Sequence, residues 1–150
     1  MGFGVSIAGM FGVQSLAVML LAAAPVYGQD WRPTQMLSMR YPCLALTVRM
    51  QGRVKLRFII DDRGMPQDIQ IVSGHPLLAP QAVVHLKSLT LRESGYKPHS
   101  VARTVIYSFR LDRAEKSKSD IVSPHFLPPN IVVVTSGFVK PSSPCQTYLE

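Results

Sequence analysis

The sequence predicts a small α+β domain in the order strand, strand, helix, strand, with an antiparallel sheet packed on one helix. Three patterns carry that expectation. Apolar and basic side chains alternate strictly over residues 53–60, the tight-turn tetrapeptide Asp61-Asp62-Arg63-Gly64 follows, and a second alternating run fills residues 67–73. The apolar spacing then widens to three and four over residues 79–89, and returns to two over residues 101–111.

Residues 29–40 contain Trp31 and Pro33 and read as a short irregular lead. Pro42 suits the first position of a helix, and residues 42–50 are predicted as a short one that Gly52 ends. In the first long strand Val54, Leu56, Phe58 and Ile60 share one face while Arg53, Lys55 and Arg57 share the other, as in a strand with one buried side. Asp61 and Gly64 supply a type I turn and a positive-φ position, which closes a hairpin onto a second strand with Ile69 and Ile71 inward.

In the helix Ala79, Ala82, Val83, Leu86 and Leu89 form the buried stripe, with Gln81, His85 and Lys87 facing away; Pro76 and Pro80 fit only its first turn. Gly95 and Pro98 mark a loop before the third long strand, in which Val105, Tyr107, Phe109 and Leu111 alternate with Thr104, Ile106, Ser108 and Arg110. Residues 112–120 are polar and read as an exposed linker. Residues 131–135 have strong β propensity, and the prolines at 128, 129, 141 and 144 confine them to an added C-terminal edge strand.

A chain of 150 residues has room for one domain with extensions, here residues 41–111 with the tail 112–150. The first 28 residues contain no charged side chain, and Leu16 to Ala24 form an apolar run of the length a secretory signal needs. Cleavage is expected after Gly28, which places the mature protein in the periplasm. The competing reading is an uncleaved anchor in the inner membrane, since the apolar stretch from about Phe3 to Tyr27 reaches the ~20 residues a spanning helix requires. Membrane contact is expected only in that second case.

Every charged residue follows position 28, so the mature chain keeps the full net charge of +7. Such a charge favours anionic lipid or cell-wall polymer in a salt-dependent way, or simply solvates the outer face of a sheet. No compact basic run with interleaved aromatics occurs, so no nucleic-acid partner is expected. Cys43 and Cys145 are the two cysteines of the exported part. They are expected either as a disulfide closing a loop of about 100 residues, worth up to ~4–5 kcal/mol in the chain-entropy model, or as two separate thiols.

Little in the chain suggests catalysis. His75, His85, His99 and His125 show no pair at the i, i+4 spacing of a helical metal site, and they read as solvent-facing or turn residues. Asp61 and Asp62 are adjacent on a tight turn and diverge, unlike a working carboxylate pair. Ser73-Gly74-His75 lacks the Gly-x-Ser-x-Gly elbow, and no P-loop or dinucleotide fingerprint is present. No enzyme activity, cofactor or metal is expected.

Five pieces in order carry a resemblance: Tyr41-Pro42, Gln51-Gly52, the turn Asp61 to Gly64, the run Val72-Ser73-Gly74-His75-Pro76-Leu77-Leu78, and the strand Thr104 to Leu111. Together, over about 70 residues, the chain resembles the C-terminal domain of the TonB energy transducers. The resemblance implies a β-β-α-β fold whose last strand lies at a sheet edge and pairs with a short extended segment, the TonB box, of an outer-membrane transporter. Carried onto this sequence, that edge is Arg103, Thr104, Val105, Ile106, Tyr107, Ser108, Phe109 and Arg110. The partner implied is an envelope protein, and the same strand edges would allow two copies to pair as a homodimer.

Three features depart from the family pattern. Leu89-Thr90-Leu91 stands where the family carries an aromatic cluster after the helix. A complete transducer has a long Pro-rich spacer, whereas residues 29–40 extended reach only ~40 Å. The strand at residues 131–135 competes for the edge a partner would use.

Overall fold

The computed structural model describes residues 31–94, 101–113 and 120–137. Its elements run β1 (Trp31–Pro33), β2 (Met39–Arg40), α1 (Cys43–Thr47), β3 (Gly52–Ile60), β4 (Pro66–Ser73), α2 (Ala79–Ser88), β5 (Leu91–Glu93), β6 (Arg103–Asp112), β7 (Ile121–Val122), β8 (His125–Leu127) and β9 (Ile131–Gly137). The expected strand, strand, helix, strand order is β3, β4, α2 and β6.

The β3–β4 hairpin forms for the reason the turn sequence gives. The Asp61 carboxylate accepts the backbone N–H groups of Arg63 and Met65 at 2.9 and 2.8 Å and the Gln67 amide at 3.1 Å. Those bonds, the Met65 N–H foremost, hold the Asp61 carboxyl below the usual carboxylate range. Gly64 sits at φ +78, and a Cβ there would stand 2.3 Å from the carbonyl oxygen of Leu91. The Leu91 N–H in turn donates to the Gly64 carbonyl at 2.7 Å, so the turn is seated directly on β5.

Alternation on β3 puts Val54, Leu56, Phe58 and Ile60 into the core and leaves Arg53, Lys55 and Arg57 exposed. On α2 the buried stripe is Ala79, Ala82, His85 and Leu86. His85 therefore does not face away as its polarity suggested; it lies one turn after Ala82 on the core side, and hydrogen bonds satisfy its ring there. Val83 is only partly buried. On β4 Ile69 is partly buried, but Ile71 is half exposed, because register irregularities displace the strand and no further strand covers its outer side.

The lead is part of the fold and not irregular from Trp31 onward. β1 pairs antiparallel with β5, and β2 with β7. Trp31 is buried, with its ring edge-on to Phe58 at 5.3 Å and tilted against Phe126 at the same distance. Tyr41 is buried as well, donating its hydroxyl to the Met50 carbonyl at 2.7 Å, and burial pushes its pKa up to about 12. Where the family carries aromatics, Leu89 and Leu91 are buried in the core.

The main sheet has the order β4-β3-β6-β9-β8. Two expectations are corrected by it. β9 pairs with β6 in parallel, so the sheet is not wholly antiparallel; the chain crosses back through β7 and β8 before β9 begins, which aligns β9 with β6. β8 lies outside β9, so the added strand is internal and the outer edges are β4 and β8.

Candidate functional site

β6 is the strand on which the family resemblance places partner docking, and its residues divide by parity. Val105, Tyr107 and Phe109 point inward and are buried. Arg103 also points inward, where its Nε donates to Glu93 Oε1 at 2.8 Å, its Nη2 donates to the same oxygen, and its Nη1 donates to the Val101 carbonyl at 3.0 Å. This largely buried ion pair ties β5 to the start of β6 and occupies the guanidinium. Thr104, Ile106, Ser108 and Arg110 belong to the other face, with Arg110 exposed and Ser108 covered.

The backbone divides in the same way. The Leu111 N–H, on the β3 side, donates to Gln51 Oε1 at 2.8 Å, while the Ile106 N–H, on the other side, donates to the Asn130 carbonyl at 2.8 Å. Even-numbered residues of β6 thus turn their polar backbone groups toward β9. Pairing with β9 runs from Ile106, opposite Ile131, to Asp112, opposite Gly137. The expected edge is therefore not a sheet edge: over residues 106–110 a strand of the same chain stands beside it, and β9 is fixed by the buried Val132 and Val134. Residues 103–105 run past the start of β9, and by alternation Thr104 turns its N–H and C=O to the same side, beyond the last residue paired with β9.

Beneath β6 lies a polar network that hydrophobic patterning missed. His85 Nδ1 is 2.9 Å from the Tyr107 hydroxyl, and Nε2 is 2.9 Å from the Leu37 carbonyl oxygen. A carbonyl can only accept, so Nε2 carries the proton and Nδ1 accepts from Tyr107, a neutral imidazole. Burial pushes the His85 pKa down, opposed by the bond to Leu37, and burial pushes the Tyr107 phenol far up. An open cleft beside His85, lined by Met39, Arg40, Val84 and Ser88, meets a ring whose nitrogens are both engaged inward. The signal available in the sequence was position alone, since 82, 85, 86 and 89 form one helical stripe.

Cys43 opens α1, whereas Cys145 and residues 1–30 lie outside the described residues. The disulfide, the signal and the anchor therefore remain expectations. Among the described residues no helix is long and apolar enough to cross a membrane, and no group of three or more His, Cys, Asp or Glu is placed to hold a metal ion.

Residues 38–111 match the family model described as the Gram-negative bacterial TonB protein C-terminal. The solution NMR structure of the Pseudomonas aeruginosa TonB CTD is similar to the chain at 24% identity and a TM-score of 0.40, covering 54% of this chain and 84% of that one. No curated protein matches the chain.

Proposed function

Because residues 38–111 belong to the Gram-negative bacterial TonB protein C-terminal family, we propose that the chain is an exported protein-binding module. It docks an extended segment of an envelope protein, such as an outer-membrane transporter, by strand pairing along residues 103–110 of β6. The observation that carries this reading is the overhang of β6: Thr104 presents backbone groups beside the end of β9, where an incoming strand can begin to pair. Extension beyond Ile106 then exchanges the partner for β9. A replacing strand must cover the surface that Val132 and Val134 cover now, which calls for two apolar side chains spaced by two. Export and the Cys43–Cys145 bridge belong to the same proposal.

Thr104→Pro removes the N–H at that overhang and places a ring in the path of the partner, while the β9 bonds stay intact. Capture of envelope proteins from an extract should fall about tenfold or more, with the thermal midpoint within a few degrees of wild type. Ile106→Pro differs, since it also removes the bond to Asn130 and unseats β9. A folded Thr104→Pro protein that captures as wild type does would remove β6 as the docking strand. Export has a separate check: N-terminal sequencing of the isolated protein is expected to begin at Gln29, and an intact Met1 in the membrane fraction would favour the anchor.

A further inference from the structure

The open face of the main sheet is divided into a basic and an aliphatic half. On β3 the exposed side chains Arg53, Lys55 and Arg57 repeat every second residue, about 7 Å apart along the strand. Register carries each row across the sheet. Lys55 lies opposite the partly exposed Ile106, which lies opposite Ile131, which lies opposite Leu127; Arg53 leads in the same way, across the buried Ser108, to Val133. Arg110 adds a fourth exposed cation beside Thr135.

Few carboxylates balance these charges. Gln70 and Ser73, which oppose Arg57 and Lys55 on β4, are uncharged; the nearby carboxylates are the exposed Asp68 at the β4 bulge and Asp112, beyond Arg110 at the far end of β6. The ion pairs Arg40 with Asp120 and Arg103 with Glu93 lie away from this face. The opposite face of the sheet is the core, covered by α2.

We propose that this open face binds the surface of an anionic lipid bilayer. A flat basic column meets anionic headgroups through charge, and the neighbouring Ile106, Ile131, Val133 and half-exposed Leu127 meet the acyl boundary. A soluble polyanion would use the cations and leave the aliphatic half idle, so the side-by-side arrangement favours a bilayer. Strand docking uses the backbone edge of β6 and not this face, but an exchange that displaced β9 would remove Ile131 and Val133 from it.

The test is sedimentation of the full chain with vesicles of phosphatidylcholine alone and of phosphatidylcholine with equal phosphatidylglycerol, read as the ratio of the two affinities. That ratio cancels any insertion of the N-terminal apolar segment, which does not depend on headgroup charge. The wild type should prefer the anionic vesicles, and R53E/K55E/R57E should lower the ratio about tenfold or more. The charge-matched control R32E/R63E/K87E, on exposed cations away from this face, should lower it much less. Leu127→Ser should weaken binding to anionic vesicles without changing the binding of soluble polyphosphate.

Circular dichroism establishes that each variant is folded, and Arg53→Gln with Arg57→Gln replaces the triple reversal if it is not. Equal losses for the two triple variants would reduce the effect to net charge and overturn the proposal. A wild-type ratio near one would also overturn it. Tight polyphosphate binding with no effect of Leu127→Ser would replace the bilayer by a polymer.

Discussion

Phe109→Ala is expected to cost about 3–5 kcal/mol, the usual price of emptying a buried aromatic site. Phe109 is 1% exposed. Its ring meets Tyr41 edge-on at 5.5 Å and stacks with Tyr107 at 6.3 Å, and its backbone lies opposite Gly52 on one side and Val134 on the other. One truncation therefore loosens the α1 entry, the centre of the sheet and the seat of β9 together. Collapse of the space is resisted, because Gly52 has no side chain to move into it. Against a total stability of ~5–15 kcal/mol, the thermal midpoint should drop by roughly 15 °C or more. A midpoint within a few degrees of wild type would show that this packing does not support the fold.

His85→Leu is expected to cost about 2–5 kcal/mol, because it leaves both the Tyr107 hydroxyl and the Leu37 carbonyl without the ring nitrogens they now bond. The wild-type protein should also show a pH dependence that the variant lacks. The folded-state pKa of His85 is depressed, so the unfolded chain takes up the proton first as pH falls. Stability is complete above the ordinary histidine value of about 6.5 and is lost between that value and the lower folded one. Protonation at Nδ1 would also remove the acceptor for Tyr107. Asp61 has the same sign in a more acidic window, with its contribution lost as pH falls below the ordinary carboxylate range. Thermal midpoints of both proteins between pH 7.5 and 5 check this, and parallel profiles would remove His85 as the titrating group.

The parts of the fold that were legible are those in which one face is buried over many residues. Val54, Leu56, Phe58 and Ile60 leave a single consistent assignment for β3, and Asp61 with Gly64 fixes the turn that follows. β1 and β2 were not legible, because strands of three and two residues show no period; Trp31 joins the core through ring contacts and not through a pattern. β9 was legible as a strand from its valines, but its direction depends on how the intervening segment crosses the sheet, which composition does not encode. The candidate site suffered most from that omission. Residues 103–110 were placed correctly as a strand, while the neighbour that occupies one side of it came from tertiary structure. His85 was misread because a polar residue on a helix is assigned outward unless its partner is known, and Tyr107 stands 22 positions away.

The strand beside β6 is covalently joined to it, and this sets the terms of any exchange. A tethered segment competes at an effective concentration in the millimolar range, whatever the dilution of the protein. A free peptide at micromolar concentration must then pair about a thousandfold more tightly than β9 to occupy half of the sites. A partner presented at high local density meets a much smaller demand. On the proposed docking, occupancy of β6 by a second protein is therefore set by crowding at the docking surface as much as by the strength of pairing.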